Sequence, residues 1–241
     1  MKKIVISQPM FFPWMGIFEQ LKLCDIFVHY DDVQLPLGRS FITRVQIKTS
    51  QGIQWLTVPV KKNGLQMIKD VEIDNSQLWR EKHLKTIKHN YSKAPFFDEM
   101  FDLVNDIYSC TVNGLSDLNC LIIEKISDYF SFRKTFLKSS DMMFSSKSSQ
   151  HLLDIVQSLN GSVYITGHGA KNYLDHSIFE NAGISVQYMR YNLSNYKQIH
   201  GNFTPFVSII DLIANMGKQG VSVLNSQSEN WQQFISRPQQ Q

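Results

Sequence analysis

The chain has little cysteine, and its three cysteines, Cys24, Cys110 and Cys120, include no C-x-x-C spacing. An odd number without that spacing argues against a disulfide framework and against a zinc site, and it favours a reducing compartment, so we expect a cytoplasmic protein. No run of about eighteen apolar residues occurs, so the sequence predicts no membrane span. The start, MKKIVISQPMFF, predicts no secretory signal either, because Gln8 and Pro9 interrupt its apolar run and no small-residue cleavage site follows.

An excess of one charge is also lacking. The 24 basic and 21 acidic residues are spread over 241 positions and leave a formal net charge of +3, so no basic tract predicts nucleic-acid binding. An anionic small molecule is compatible with this charge. Neither an ATP-grasping loop nor a GxGxxG motif occurs, and no cofactor is recognisable. What is present, 43% hydrophobic and 12% aromatic residues, indicates a folded globular protein.

The N-terminal segment predicts one βαβ unit. It consists of a short apolar strand over Lys3–Ser7, a proline-bounded turn over 8–13, a helix over 14–23 and a second strand over 25–30. Both strands are almost continuously apolar, which is typical of parallel strands covered on both faces. The unit therefore predicts a sheet edge at which a ligand can bind.

Ligands of open α/β sheets bind beyond the carboxyl ends of the strands. An amide, two carboxylates and an indole fall at that edge in this sequence, together with a glycine that permits a close backbone approach. The predicted binding residues there are Gln8, Pro13, Trp14, Gly16, Asp31, Asp32 and Gln34.

Residues 35–50, LPLGRSFITRVQIKTS, bring positive charge next to the two carboxylates. The guanidinium groups of Arg39 and Arg44 suit a phosphate or a carboxylate. Either these arginines bind an anionic ligand, or they pair with Asp31 and Asp32 and fix the loop. The following run, WLTVPV, predicts the second strand of a β-hairpin.

A helix predicted over residues 77–90 carries His83 on its apolar face, with Trp79, Ile87 and Tyr91. A histidine in this position is either a hydrogen-bonded core residue or a general base. The second alternative is chemically reasonable because imidazole titrates near neutral pH and can take a proton from an amine.

The segment VYITGHGAKNYLD predicts a strand, a glycine turn and a helix beginning near Ala170. Backbone N–H groups at such a turn can bind an anion, although the glycines can also serve only to turn the chain. We count Gly167, His168, Gly169 and Tyr173 as candidate binding residues.

A polar stripe runs along the helix predicted after Pro205. Ser208, Asp211 and Asn215 are three and four residues apart and share one helix face. This face either meets solvent or lines the ligand cleft.

Strands near residues 4, 26, 136, 163 and 184 alternate with helices. This order predicts an α/β fold, Rossmann-like, with an open, mostly parallel sheet and helices on both faces. We expect a single domain over residues 1–226, in which an inserted β-hairpin and helical portion over 35–130 covers the binding edge. The polar, glutamine-rich segment 227–241 predicts a frayed tail.

The runs SQPMFFPWMGIFEQLKLCDIFVHYDDVQ, RSFITRVQIKTSQGIQWLTVPV, TGHGAKNYLD and FVSIIDLIANMG resemble the WbqC-like proteins. Phe12 and Ile17 replace aromatic residues that are usual in the family's first turn. The resemblance implies a role in bacterial surface polysaccharide (O-antigen, lipopolysaccharide) biosynthesis. It also implies a possible transfer of a glycyl or other aminoacyl group onto an amino sugar.

Three hypotheses follow. The first is an enzyme that transfers an aminoacyl or acyl group to the amine of a nucleotide-linked amino sugar, with His83, Asp31 and Asp32 as the catalytic group. The sequence does not identify the donor, for which a carrier protein is one candidate. The second is a non-catalytic nucleotide-sugar-binding or scaffold protein of polysaccharide assembly. The third is a nucleotidyltransferase in which Asp31 and Asp32 hold Mg²⁺.

Overall fold

The computed structural model describes residues 1–38, 40–61 and 63–237, and these form a six-stranded sheet and a separate hairpin. From one edge of the sheet to the other, the strands lie in the order β5-β2-β1-β6-β7-β8. The first five are parallel, and β8 is antiparallel to β7. This confirms the predicted open, mostly parallel sheet. In chain order the strands are β1 Lys3–Ser7, β2 Ile26–His29, β3 Arg44–Thr49, β4 Gly52–Thr57, β5 Thr135–Lys138, β6 Val163–Thr166, β7 Ser185–Arg190 and β8 Gln227–Asn230.

Helices flank the sheet, so the Rossmann-like α/β class is confirmed. None of the helices in the described ranges is long and apolar enough to cross a membrane. In chain order the helices are α1 Met15–Leu23, α2 Trp79–Tyr91, α3 Phe97–Ser109, α4 Leu115–Tyr129, α5 Ser148–Ser158, α6 His176–Asn181, α7 Ile209–Met216 and α8 Trp231–Ser236.

Residues of β1 alternate between two hydrophobic clusters on the two faces of the sheet. Val5 packs in the cluster that contains Phe18 of α1, whereas Ile4 and Ile6 pack in the cluster that contains Ile155 of α5. Successive side chains of a strand point to opposite faces. A strand buried on both faces therefore needs apolar residues at every position, which explains the continuous apolar runs.

The chain between β2 and β5 contains the antiparallel β3–β4 hairpin and the helices α2 to α4. Asn119 of α4 is fully buried and donates from Nδ2 to the carbonyl oxygens of Pro9 and Ile42, both at 2.9 Å. This insertion therefore braces the turn that follows β1.

The polar segment after residue 226 differs from the predicted frayed tail. Gln227–Asn230 extends the sheet as β8, and α8 follows directly. The Trp231 ring stacks on His176 at 4.3 Å, and its Nε1 donates to Glu180 Oε1 at 3.0 Å. A polar segment can form an edge strand because the backbone of β7 supplies the hydrogen bonds, which the side-chain pattern does not reveal.

The structure also differs from the prediction of a helix that begins near Ala170. A short 3₁₀ helix occupies His168–Asn172, and the next α-helix begins only after Asp175, whose carboxylate caps it by accepting from Ser177 N at 3.0 Å. The turn after β6 thus lacks the aligned first turn of an α-helix.

Candidate functional site

A cleft of about 780 Å³ opens at the carboxyl ends of β1 and β6. The chain order reverses at this point, because β2 lies on one side of β1 whereas β6 and β7 lie on the other. Open α/β sheets bind ligands at such a switch point. The cleft is therefore the candidate functional site, and the side chains and backbone that line it include Gln8, Trp14, Gln20, Tyr30, Gly167, His168, Gly169, Tyr173, Tyr191 and Phe206.

The turn between β1 and α1 is held in an unusual conformation. Phe12 is fully buried and has a left-handed backbone with φ 39°, which costs roughly 1–3 kcal/mol for a residue other than glycine. The N-terminus of α7 holds it there, since Ser208 Oγ donates to Phe12 O and Ile209 N donates to Pro13 O, both at 2.9 Å. These bonds fix the position of the next residue, Trp14.

Trp14, Tyr191 and Phe206 form an aromatic wall of the cleft. The Trp14 ring lies 4.9 Å from the Tyr191 ring and 5.6 Å from the Phe206 ring. Gly16 makes this arrangement possible, because a Cβ there would lie 2.2 Å from Cζ2 of Trp14. Aromatic faces of this kind stack on sugar rings and nucleobases.

A buried amide orients the phenol in this wall. Gln20 of α1 is buried and donates from Nε2 to Tyr191 Oη at 2.8 Å. Burial raises the pKa of Tyr191 to about 12, so the phenol keeps its proton at neutral pH. Because the oxygen already accepts from the amide, its O–H can donate to a ligand in the cleft.

His168 lies two residues after the end of β6 and lines the same cleft. Its Nε2 lies 2.7 Å from the backbone oxygen of Met189, and its ring packs against Tyr191 at 5.1 Å and Phe234 at 4.8 Å. A carbonyl oxygen can only accept, so Nε2 carries the proton and the neutral ring keeps its lone pair on Nδ1. That nitrogen makes no hydrogen bond within the described part of the chain and can accept a proton.

Gln8 and Tyr30 add polar groups at the ends of β1 and β2. The Gln8 amide makes no hydrogen bond to any described residue, which leaves its donor and acceptor to a ligand. Burial, and then the neighbouring Asp32 carboxylate, raise the pKa of Tyr30. The cleft therefore presents mainly neutral hydrogen-bonding groups and rings.

The structure brings together part of the predicted residue set. Pro13 and Gly16 lie beside the cleft and position Trp14. Arg39 lies outside the described residues. The predicted residues that line the cleft are Gln8, Trp14, Gly167, His168, Gly169 and Tyr173, and those that do not are Asp31, Asp32, Gln34, Arg44, His83, Ser208, Asp211 and Asn215.

Asp31 points into the protein, away from the cleft. Its side chain is 1% exposed and accepts from Ser116 Oγ at 3.0 Å, Ser139 Oγ at 3.3 Å, and both N and Oγ of Ser140 at 3.1 Å. These donors occupy both carboxylate oxygens. The residue thus ties the end of β2 to α4 and to the segment after β5.

Asp32 lies in a second, smaller cavity beside the first. Its Oδ1 accepts from Ser139 Oγ, and its Oδ2 lies 3.1 Å from Nε2 of His151. Asp31 and Asp32, adjacent in sequence, therefore point to different surroundings, and they do not form one two-carboxylate site.

His83 lies in an aromatic cluster with Phe11, Trp79 and Tyr108. The ring distances are 5.9, 5.2 and 6.1 Å, and Nδ1 lies 3.0 Å from Tyr108 Oη. Burial lowers the pKa of His83 to about 4, while the Thr57 backbone acts in the opposite direction. The imidazole is uncharged at neutral pH and is surrounded by rings.

Arg44 contacts neither predicted partner. Its guanidinium carbon lies 4.0 Å above the Trp55 ring, and no carboxylate oxygen of the described residues lies within ion-pair distance of it. Gln34 pairs through its backbone with Met67. Both residues therefore belong to the insertion and its loop, away from the cleft.

The polar stripe on α7 faces the protein interior. Asp211 is fully buried and accepts from Tyr196 Oη at 2.8 Å and Tyr91 Oη at 3.0 Å, and burial raises its pKa. Asn215 Nδ2 donates to the Asp211 backbone oxygen at 2.7 Å, and Ser208 caps the helix by accepting from Ile210 N. The stripe thus meets neither solvent nor the cleft.

The lining residues that were not among the predictions include Gln20, Tyr30, Tyr191 and Phe206. Tyr30 and Tyr191 directly follow the ends of β2 and β7, so the rule that located Gln8 could also have found them. Gln20 is a polar residue that the packing of α1 buries. Phe206 has no comparable sequence signal, because the long loop before α7 brings it to Trp14.

Comparisons with known proteins agree with this architecture. The model of the WbqC-like protein family matches residues 8–223. Uncharacterized protein Rv1507c from Mycobacterium tuberculosis (strain ATCC 25618 / H37Rv) is 34% identical over an alignment of 228 residues, and the alignment covers 93% of this chain and 98% of that relative. No solved structure matches the chain significantly. The matched region contains four of the six strands of the sheet, β2, β5, β6 and β7, and most of the residues that line the cleft, and the chain therefore belongs to the WbqC-like protein family.

Proposed function

We propose that the cleft binds a nucleotide-linked amino sugar and that the protein transfers an aminoacyl or acyl group to the sugar's amine during surface polysaccharide biosynthesis. The observation that carries this proposal is that the aromatic wall and the free Nδ1 of His168 share one cleft. The volume of about 780 Å³ suits the proposal, since small-molecule sites span about 300–1,000 Å³.

The binding roles follow from the chemistry of the lining. The aromatic wall stacks on the nucleobase or the sugar ring. The Gln8 amide and the Tyr191 hydroxyl hydrogen bond to polar groups of the ligand. The backbone between Gly167 and Gly169 lies open beside them, and a Cβ at Gly169 would meet no atom within 4 Å, so a diphosphate can approach closely.

His168 is the proposed general base. The amine nitrogen attacks the acyl carbon of the donor, an N–C bond forms, and the bond from that carbon to its leaving group breaks. Nδ1 of His168 accepts the proton that the nitrogen loses, and the Met189 carbonyl stabilises the resulting imidazolium through Nε2–H. The donor is an activated acyl compound, such as a thioester, an ester or an acyl phosphate.

This mechanism moves the base from His83, which the sequence favoured, to His168. The two imidazoles differ in what they can reach, because His83 is enclosed by Phe11, Trp79 and Tyr108. The Asp31 carboxylate has a structural part in this proposal, since hydroxyl donors surround it. We propose that the reaction takes place in the cytoplasm, where nucleotide sugars are made and where the three free cysteines stay reduced.

A thermal-shift screen against nucleoside diphosphate-linked amino sugars, including UDP-glucosamine, tests the binding step. A ligand that binds only the folded state raises the melting temperature by mass action. We expect a shift for the wild-type protein, a smaller shift for Trp14→Leu and an undiminished shift for Trp55→Leu, a control on the hairpin. The absence of a shift for every amino sugar would overturn the proposal.

A non-catalytic nucleotide-sugar-binding protein is the second candidate function. Large apolar side chains are exposed on the insertion, among them Leu37, Phe41 and Leu65, which is a surface suited to a protein partner. The two candidates share the binding step and differ in turnover. Mass spectrometry of the sugar after incubation with acyl thioesters and acyl phosphates separates them, because only the transferase produces an N-acylated product.

A further inference from the structure

A second cavity of about 360 Å³ lies next to the cleft, and Tyr30 lines both. This second cavity is bounded by the ends of β2 and β5 and by the segment before α5. Asp32, Lys69, Ser145, Lys147 and His151 line it. The Tyr30 ring lies 5.5 Å from the His151 ring, so a single aromatic side chain separates the two spaces.

His151 brings a buried nitrogen to this cavity. The residue is 4% exposed, and its Nδ1 lies 2.9 Å from the backbone oxygen of Ser146. Its Nε2 lies 3.1 Å from Asp32 Oδ2, but the direction of the contact does not make a hydrogen bond. Both ring nitrogens thus face oxygens, and Nε2 is buried without a hydrogen bond.

The rest of the lining favours a negative group. Lys69 and Lys147 are exposed and have no carboxylate within ion-pair distance among the described residues. The helix α5 has 11 residues and begins at this cavity without a side-chain cap, so its first N–H groups are not satisfied by a side chain. Of the Asp, Glu, Lys and Arg side chains that line the cavity, two are lysines and one is Asp32, which leaves an excess of positive charge.

We propose that this second cavity binds a phosphate group of a second substrate, beside the nucleotide sugar in the cleft. Two ammonium groups, the hydroxyl of Ser145 and a helix N-terminus are donors that suit a phosphate, and the His151 ring lines the same cavity. The Tyr30 ring lies between the two ligands, which occupy neighbouring cavities. The role as a donor site rests on the proposed function, but phosphate binding itself does not.

Titration with inorganic phosphate, followed by ¹⁵N NMR of the histidine rings, tests this inference. We expect the His151 ring signals to move on addition of phosphate and those of His200, which lies elsewhere, to stay. The double variant Lys69→Ala/Lys147→Ala should bind phosphate roughly tenfold more weakly. Lys93→Ala, an exposed lysine outside the cavity, is the matched control and should bind as the wild type does.

Two results would overturn the inference. One is phosphate binding that is equal in the double variant and the wild type. The other is displacement of phosphate by UDP-glucosamine, because the two ligands should bind together. Trp14→Leu should retain phosphate binding, so failure of nucleotide-sugar binding and failure of phosphate binding can be told apart.

Discussion

Nε2 of His168 lies 2.7 Å from the backbone oxygen of Met189, and in the proposed mechanism this contact leaves Nδ1 as the proton acceptor. We expect His168→Phe to lower the turnover number by about 10²–10⁴-fold, the usual contribution of a general base. The dissociation constant for the nucleotide sugar should change little, because the replacement keeps a ring against Tyr191 and Phe234. Steady-state kinetics together with calorimetric titration measures both quantities.

The matched control for His168→Phe is His200→Phe. His200 also contacts a backbone oxygen through Nε2, that of Asn90 at 2.8 Å, but it does not line the cleft. Its replacement should leave turnover unchanged. An equal loss of activity in both variants would show that His168 acts through stability alone.

Asp31 should prove to be a stability residue. Asp31→Ala removes the acceptor for Ser116 Oγ and for N and Oγ of Ser140, whereas Ser139 Oγ keeps Asp32 Oδ1 as its acceptor. Unsatisfied buried donors of this kind lower the free energy of unfolding by about 2–4 kcal/mol. Urea denaturation measures the change. Asp128→Ala, at an exposed position of α4, should remain within about 0.5 kcal/mol of the wild type, and a similarly small effect of Asp31→Ala would contradict its assigned role.

The buried imidazole of His83 makes stability depend on pH. Its pKa is about 4 in the folded protein and 6.5 in the reference state, so the unfolded chain binds more protons between these values. Its contribution is complete above about pH 6.5 and is lost as the pH falls towards 4. Between about pH 7.5 and 4.5 the wild type should therefore lose about 2–3 kcal/mol more stability than His83→Phe.

Urea denaturation of both proteins at the two pH values measures this difference. The replacement also removes the partner of Tyr108, but that cost does not depend on pH in this range, because burial holds the pKa of Tyr108 well above 10.0. An identical pH-dependent loss in the two proteins would mean that His83 takes up its proton without unfolding.

Gly16 gives Trp14 its place in the aromatic wall. A Cβ at this position would lie 2.2 Å from the indole, so Gly16→Ala should lower the free energy of unfolding by about 1–3 kcal/mol. In the Trp14→Leu background the clash is absent, and the same change should be neutral or stabilising by up to about 1 kcal/mol, since alanine favours a helix. Equal effects in both backgrounds, measured by urea denaturation, would disprove the steric coupling.

The sheet was predictable because burial on both faces leaves a continuous apolar run at β1 and β2. The strand β8 was not, because its residues are polar and only backbone pairing with β7 places them. The position of the cleft was predictable from the rule that ligands bind beyond the carboxyl ends of parallel strands. This rule located Gln8, Trp14 and the turn at Gly167.

The orientation of side chains at that edge was not predictable. Asp31 points inward because Ser116 and Ser139, each more than 80 residues away along the chain, supply its donors. A core histidine and a general base can both lie on an apolar helix face, so the helical spacing of His83 does not separate the two roles. The packing of Phe11 and Tyr108 around its ring becomes visible only in the tertiary structure. The local sequence pattern therefore predicts which sheet edge or helix face a residue occupies. The direction of its side chain depends on contacts with residues that are far away along the chain.

The central claim is that the nucleotide sugar binds at the aromatic wall, and ¹⁹F NMR of the protein labelled with 5-fluorotryptophan tests it most directly. The chain has four tryptophans, Trp14, Trp55, Trp79 and Trp231, of which Trp14 lines the cleft and Trp79 contacts His83. Single Trp→Phe variants assign the four signals. On addition of UDP-glucosamine or another nucleotide-linked amino sugar, we predict that the Trp14 signal moves and the Trp79 signal stays. A shift of the Trp79 signal with that of Trp14 unchanged would place the ligand elsewhere and contradict the account.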